Sequence, residues 1–415
     1  MLINTHKAHR LQRNGGETKM KTAIWLYLFL FVAFFDLHAQ YPMLSPFALS
    51  LGAAPSFIGL ILGVYSITHL PGNVIAGFGV DRYGSKKFIV ISLILAGIVL
   101  LFQSHVTNPW ELLIIRSISG FTLAFLSPAC QSLLAKLAKD RIQQGKLMAG
   151  NGLVHTLASV ISPAAGAYLV ARIGFSQSFT VLGWVLIVTG VLAIFGVRES
   201  NAVFAGDKDE AIAGHHAAPL PARQSSPGTA ALDDDAPLGA IPWLFYGIPL
   251  ALSCAQGILF FELPLIKQSL DNILTSGILF SLVSLGALLT LSMMFLNRMS
   301  SFYRTIIGSL ALALIFFGMA IHWPIPLYAS LFMIGMSKGV IFPAMSTLLA
   351  AMTTSDRYGR VFSLLSISFS LGAFFGPVIA GHLRASMSPY YIAFLALMLA
   401  LAVIPFRKFR SLATA

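Results

Sequence analysis

Six residues of this sequence carry a charge or a titratable ring well inside stretches that are otherwise apolar, away from their ends: Asp36, His38, His69, Arg116, His155 and Lys338. A charge in such a run is costly, and it normally faces protein or water with a partner at hand. Asp36 and Arg116 have the chemistry of an ion pair, or of a carboxylate whose proton a guanidinium controls. Imidazole exchanges protons near neutral pH, so His38, His69 and His155 are candidate proton carriers; a lone histidine in such a run also serves as a hydrogen-bonded packing residue. Lys338, in Gly335-Met-Ser-Lys338-Gly339, either contacts a substrate anion or stretches to the basic interface. This is chemistry for moving protons and small polar groups rather than for breaking bonds. The chain carries no triad and no phosphate-cradling loop, and neither a cofactor nor a metal is expected. Cys130 and Cys254 have no metal-ligand spacing and offer no disulfide framework.

The elements that must hold these groups are long. A bilayer core takes about 20 apolar residues per helix. Such runs lie near 22–43, 56–80, 87–104, 109–134, 147–171 and 178–197, then near 242–263, 274–296, 304–322, 325–350, 361–384 and 389–406. They are continuous rather than alternating, which excludes a β-barrel. The first run is too long, and too polar at its end, for a cleaved signal peptide. The chain therefore reads as an all-α polytopic membrane protein with twelve transmembrane helices. Its 415 residues are 57% hydrophobic and only 10% charged, against roughly a quarter charged for a soluble domain. A soluble enzyme is excluded on that ground. The predicted layout is a tail over 1–21, a six-helix bundle over 22–197, a linker over 198–240, a second bundle over 241–406 and a tail over 407–415. The linker is rich in Ala, Pro, Gly, Asp and Ser. His215-His216 within it is a metal pair on paper and reads as solvated linker.

At 1.5 Å per residue, Asp36 stands about 20 Å above the basic end of helix 1 and Arg116 about 10 Å below the other end of helix 4. In a core of about 30 Å those depths coincide. Gln40 on helix 1, with Ser253, Cys254 and Gln256 on helix 7, adds polar groups at depth. The basic residues sort by side. Lys7 to Lys21, Arg82 to Lys87, Lys136 to Lys146, Arg198 to Arg223, Arg298, Arg304, Arg357, Arg360 and Arg407 to Arg410 all fall on one side. The opposite loops hold Arg172, Lys267 and Arg384. The basic side is cytoplasmic by the positive-inside rule, so both termini are expected in the cytoplasm of a bacterial inner membrane. The excess of Lys and Arg, 27 against 15 Asp and Glu, is thus a topology signal and not a nucleic-acid patch.

The halves repeat. Trp25, Pro46 and Gly59 match Trp243, Pro264 and Gly277; Ser162-Pro163 matches Gly376-Pro377. Parallel six-helix repeats place a transporter's site at their interface near the midplane.

Between helices 2 and 3 stands Gly77-Phe-Gly-Val-Asp81-Arg82-Tyr-Gly84-Ser85-Lys86-Lys87. It resembles the major facilitator signature G-x-x-x-D-R-x-G-R-K/R-K/R, with Ser85 in place of the usual Arg. Arg116-Ser-Ile-Ser-Gly120 is similar to that family's R-x-x-x-G pattern in helix 4. Ala158-x-x-x-Ser162-Pro163-x-x-Gly166 is a degraded form of its antiporter motif, and Gly372-x-x-x-Gly376-Pro377-x-x-x-Gly381 is a fuller copy in the second half. The resemblance implies two six-helix repeats of the major facilitator type, with helices 1, 4, 7 and 10 around a central cavity. It implies a gate at Gly77, Asp81, Arg82, Gly84, Lys86 and Lys87. Gln40, Arg116, Gln256 and Lys338 become candidate cavity residues, and Asp36, Arg116, His38, His69 and His155 candidates for coupling. The drug/proton antiporter branch is the nearest in motif, so the expected activity is proton-coupled efflux of a drug-like compound, secreted metabolite or metallophore. Its partners would be small-molecule substrate, protons and lipid, and a monomer would suffice. An uptake symporter for an organic anion and a lipid flippase are the alternatives.

Overall fold

The computed structural model describes residues 2–138, 141–197, 243–266, 271–293, 295, 299–353 and 358–404, with side chains from residue 20 onward except at 81, 141, 142, 358 and 359. Regular structure among these residues is helical throughout. The first half contains α1 (Leu2–Ala39), α2 (Tyr41–Ser50), α3 (Pro55–Tyr83), α4 (Ser85–Gln103), α5 (Pro109–Leu123), α6 (Leu126–Leu137) and α7 (Arg141–Gly196). The second contains α8 (Gly247–Glu262), α9 (Ile273–Ser292), α10 (Ser301–Ala320), α11 (Leu327–Ala351), α12 (Tyr358–Leu383) and α13 (Pro389–Ala402). Single turns of 3₁₀ helix at Trp243–Tyr246 and Leu263–Leu265 flank α8.

Among the described residues, ten stretches are long and apolar enough to cross a membrane. One of them, Gln143–Gly196, has 54 residues, more than twice the about 20 that one crossing needs. It turns at Gly174, whose φ of 79° and ψ of 173° interrupt the helix, and so serves as two spans. With the 14-residue α13 the spans number twelve. The connection expected over 172–177 thus shrinks to one residue, because glycine takes a positive φ without the steric cost a Cβ would add.

Proline sets two other breaks. Pro42 lacks the N–H that would continue α1 and its ring crowds the preceding turn, so the first span bends at Gln40 and resumes as α2. Pro128 does the same between α5 and α6. In the second half Pro343 lies inside an unbroken α11, although Phe-Pro-Ala at 342–344 stands opposite Ser-Pro-Ala at 127–129 in the repeat.

Two crossings join the halves. Gly59 on α3 lies directly on the Pro377 backbone of α12, and Gly63 on that of Phe374. Gly381 on α12 meets Pro55 and Ser56 in return. On the other flank Gly277 on α9 lies on Pro163, Ala164 and Ala167 of α7. Small residues at such points let backbones touch. The repeat pairs Gly59 with Gly277 and Pro377 with Pro163, so the two crossings are copies of each other. Both lie toward the end opposite the basic loops. There the Arg384 guanidinium donates from Nε to Glu262 at 2.8 Å and from a terminal nitrogen to the other oxygen at 3.1 Å, tying α12 to α8.

Candidate central cavity

The bend at Gln40 determines what the first span contributes. Gln40 stands one turn beyond Asp36, and its amide NH₂ donates to both carboxylate oxygens, at 3.0 and 3.1 Å. Its carbonyl oxygen accepts from Arg116 at 3.0 Å and from Gln103 at 3.3 Å. Asp36, Gln40, Gln103 and Arg116 are all buried. Depth along the helices offered Asp36 and Arg116 as an ion pair or as a carboxylate whose proton a guanidinium controls; the structure places Gln40 in hydrogen-bond contact with both. An amide can do this because it offers donors at one end and an acceptor at the other. The Arg116 guanidinium also lies over the Tyr65 ring, 4.7 Å from its centroid, and its Nε has no hydrogen-bond partner. Asn108 caps the start of α5, accepting from the Glu111 N–H at 3.0 Å, which sets the register that carries Arg116 inward.

Two adjoining cavities occupy the space between the halves. The first, about 380 Å³, is walled by Gln40, Tyr65, Arg116, Ser253, Phe369 and Pro377 among others. The second, about 280 Å³, is walled by His38, Ser159, Pro163, Phe280, Ser284 and Lys338 among others. Tyr41, His155, Gln256, Phe260 and Phe342 line both, so they are two lobes of one space. Its ledge is aromatic: Tyr41 stacks on Phe260 with centroids 4.1 Å apart, and Phe342 on Phe369 at 5.4 Å. The combined size and the mix of apolar wall with a few polar groups are those of a small-molecule site.

The candidates sort unevenly. Gln40, Arg116, Gln256, Lys338, His38 and His155 face this space, and Asp36 stands behind Gln40. His38 donates from Nδ1 to the Phe34 carbonyl at 2.6 Å, and its ring meets that of His155 edge to face at 5.2 Å. His69 is elsewhere, joined through Nδ1 to the Asn73 amide at 2.9 Å, one helical turn away. Among the packing residues, Ser162 bonds the Ala158 carbonyl, and Gly166 rests on Ala39 of α1. Gly372 and Gly376 rest on the α8 backbone at Leu250 and Cys254. At the turn between α3 and α4, Gly84 takes φ 88° and Arg82 lies near the Tyr83 ring. The Asp81 side chain, the linker and His215-His216 lie outside the described residues. Sequence reasoning missed Tyr41, Tyr65, Gln103, Phe260 and Phe342. Gln103 alone left a signal, as a polar residue closing an apolar run; the aromatics are indistinguishable from core in a chain with 32 phenylalanines.

Comparison with known proteins agrees with this fold. A family model described as Major Facilitator Superfamily matches residues 26–322 and 250–412. The chain is 23% identical over 357 residues to the multi-drug resistance efflux pump PmrA homolog of Lactococcus lactis, covering 84% of each protein. It is 27% identical over 169 residues to an uncharacterized transporter of the same type from Methanocaldococcus jannaschii, a match spanning 41% of this chain and only 43% of that protein. Multidrug resistance protein 2 of Bacillus subtilis is 24% identical, again over 43% of its length. Among solved structures, a bacterial homolog of the human lysosomal transporter Spinster, inward-facing and unoccupied, superposes with a TM-score of 0.68 at 13% identity, covering 96% of this chain and 97% of that one. A D-xylose-proton symporter gives 0.68 at 16% identity, covering 92% and 97%. At such identities these structures speak to the fold.

Proposed function

Because this chain belongs to the Major Facilitator Superfamily, and so is a multi-pass membrane transporter of small molecules, we propose that it is a proton-coupled efflux carrier for amphipathic compounds such as drugs or secreted metabolites. The bundles over 22–197 and 241–406 rock about the central cavity, joined by a cytoplasmic linker. The basic end is the cytoplasmic end of a bacterial inner membrane, with both termini on that side. The turn carrying Gly77, Asp81, Arg82, Gly84, Lys86 and Lys87 closes that end in one state of the cycle.

One observation carries the coupling: the Asp36–Gln40–Arg116 chain, buried at the wall of the cavity. Water-poor surroundings favour a neutral carboxylic acid, and a nearby guanidinium favours the ionised form. Gln40 sits at the bend of the first span, so rocking of the halves changes its reach to Asp36 or Arg116. The acid then binds a proton in one state and releases it in the other. The named efflux relatives support the outward direction, and the aromatic ledge supports an amphipathic cargo.

The test uses proteoliposomes with an imposed pH gradient and a panel of amphipathic compounds. Wild type should accumulate a substrate against its gradient. Asp36→Asn should reduce coupled accumulation to background while leaving substrate exchange at equal pH measurable. Accumulation by Asp36→Asn vesicles at the wild-type level would end the coupling role.

A further inference from the structure

Lys338 is the charged group this reading leaves unused. It lies midway along α11, 13 residues or roughly 20 Å from the helix's basic end, beyond the reach of a lysine side chain. It therefore stays at depth and lines the smaller lobe. Among the described residues its ammonium has neither a hydrogen bond nor an ion pair. No aspartate or glutamate lines either lobe. Asp36 and Arg116 offset each other's formal charge through Gln40, so the cavity is left with one uncompensated positive charge.

The position of Lys338 is also rigid. Gly335 lies on the Val283 backbone of α9, Gly339 on Ala287, and Gly286 on the Phe332 backbone of α11. Thr290 Oγ1 donates to the Met336 carbonyl at 3.1 Å. These contacts clamp α11 to α9 on both sides of the lysine. Around it stand groups that can donate hydrogen bonds: the ring of His155, the Gln256 amide and the Ser284 hydroxyl. A fixed cation among neutral donors, in a space walled otherwise by apolar side chains, complements an anion and disfavours a second cation.

We propose that the Lys338 lobe is a subsite for an acidic head group, so that the preferred cargo is an amphipathic carboxylate or a similar monoanion. Its head sits against Lys338 and its apolar body crosses the ledge of Tyr41, Phe260 and Phe342 into the larger lobe. This assignment rests on the transporter reading of the same cavity and names the class of molecule carried.

Three probes with one body isolate the head group: 1-naphthoate, 1-naphthalenemethanol and 1-naphthylmethylammonium, titrated calorimetrically into purified protein in a neutral detergent. Wild type should bind the carboxylate at least about tenfold more tightly than the alcohol, and the ammonium most weakly. Lys338→Gln and Lys338→Met should erase the preference, whereas Lys338→Arg should keep it. The wild-type comparison needs no variant to fold. A carboxylate bound no more tightly than the alcohol overturns the proposal, as does a preference that persists in both neutral variants. A Lys338-dependent preference in protein that drives no transport in vesicles leaves the anion subsite standing and removes the coupling proposal. Proton-driven transport of the ammonium probe but not of the naphthoate, unchanged by Lys338→Gln, does the reverse.

Discussion

The two lobes of the cavity hold their charges differently. In the larger lobe the buried acid, amide and guanidinium form a chain in which Asp36 accepts two hydrogen bonds from Gln40 and Arg116 donates to the same side chain. In the smaller lobe Lys338 has no partner at all among the described residues. Both charges cost free energy to bury. A charge with partners inside the protein can be held through a conformational cycle and switched by changing those partners. A charge without them completes its shell only when something enters. Paired groups therefore suit a coupling device, and an unpaired group suits recognition of cargo.

Variants that exchange the two conditions should separate coupling from recognition. The largest effect is expected for Arg116→Ala, which leaves the Gln40 carbonyl short of a donor and Asp36 without a compensating charge. Losing one member of a buried charge pair costs about 3–5 kcal/mol, so coupled transport in vesicles should fall by about 100-fold or more, with a lower unfolding temperature. Arg116→Lys should recover only part, because a point-charge ammonium cannot reproduce a planar guanidinium that both bonds Gln40 and stacks on Tyr65. Transport at the wild-type level in Arg116→Ala would mean that the chain is scaffolding.

Gln40→Leu should come next. It keeps both charges but removes the bridge, and hydrogen bonds inside membranes contribute about 1–2 kcal/mol at most. Proton-driven accumulation should drop roughly tenfold, while exchange at equal pH falls much less. Equal losses in both assays would place Gln40 in substrate binding instead. His155→Phe should have the smallest effect. His155 lines both lobes and packs edge to face on Phe34 and His38, and a phenyl ring preserves the packing but not the donor. Binding of the naphthoate should weaken about threefold, one modest hydrogen bond's worth, and the coupling ratio should not move. A change in coupling would make His155 part of the proton path.

Much of this molecule was legible before any coordinates. Lipid demands that backbone polar groups be satisfied within each crossing segment, so span number, helical class and the basic side follow from hydropathy and Lys/Arg placement. The turn signature and the ordered matches between halves carried the family. Gly59 with Gly277, and Pro163 with Pro377, were visible as repeated letters; that they meet crosswise, helix 2 on helix 11 and helix 8 on helix 5, was not. Equal depth brought Asp36 and Arg116 together on paper, since rise per residue is a local property.

Rotation about the helix axis is not local. It depends on which neighbours pack, and it brought Arg116 to Gln40, left His69 off the cavity and kept Lys338 in it. The bend that places Gln40 coincides with Pro42, yet Pro343 leaves α11 unbroken, so a proline alone does not announce its outcome. The sequence by itself determined how many times the chain crosses the bilayer, because hydropathy is summed residue by residue. Which polar groups meet in the middle was decided only by the tertiary structure, because that depends on how twelve helices turn their faces toward one another.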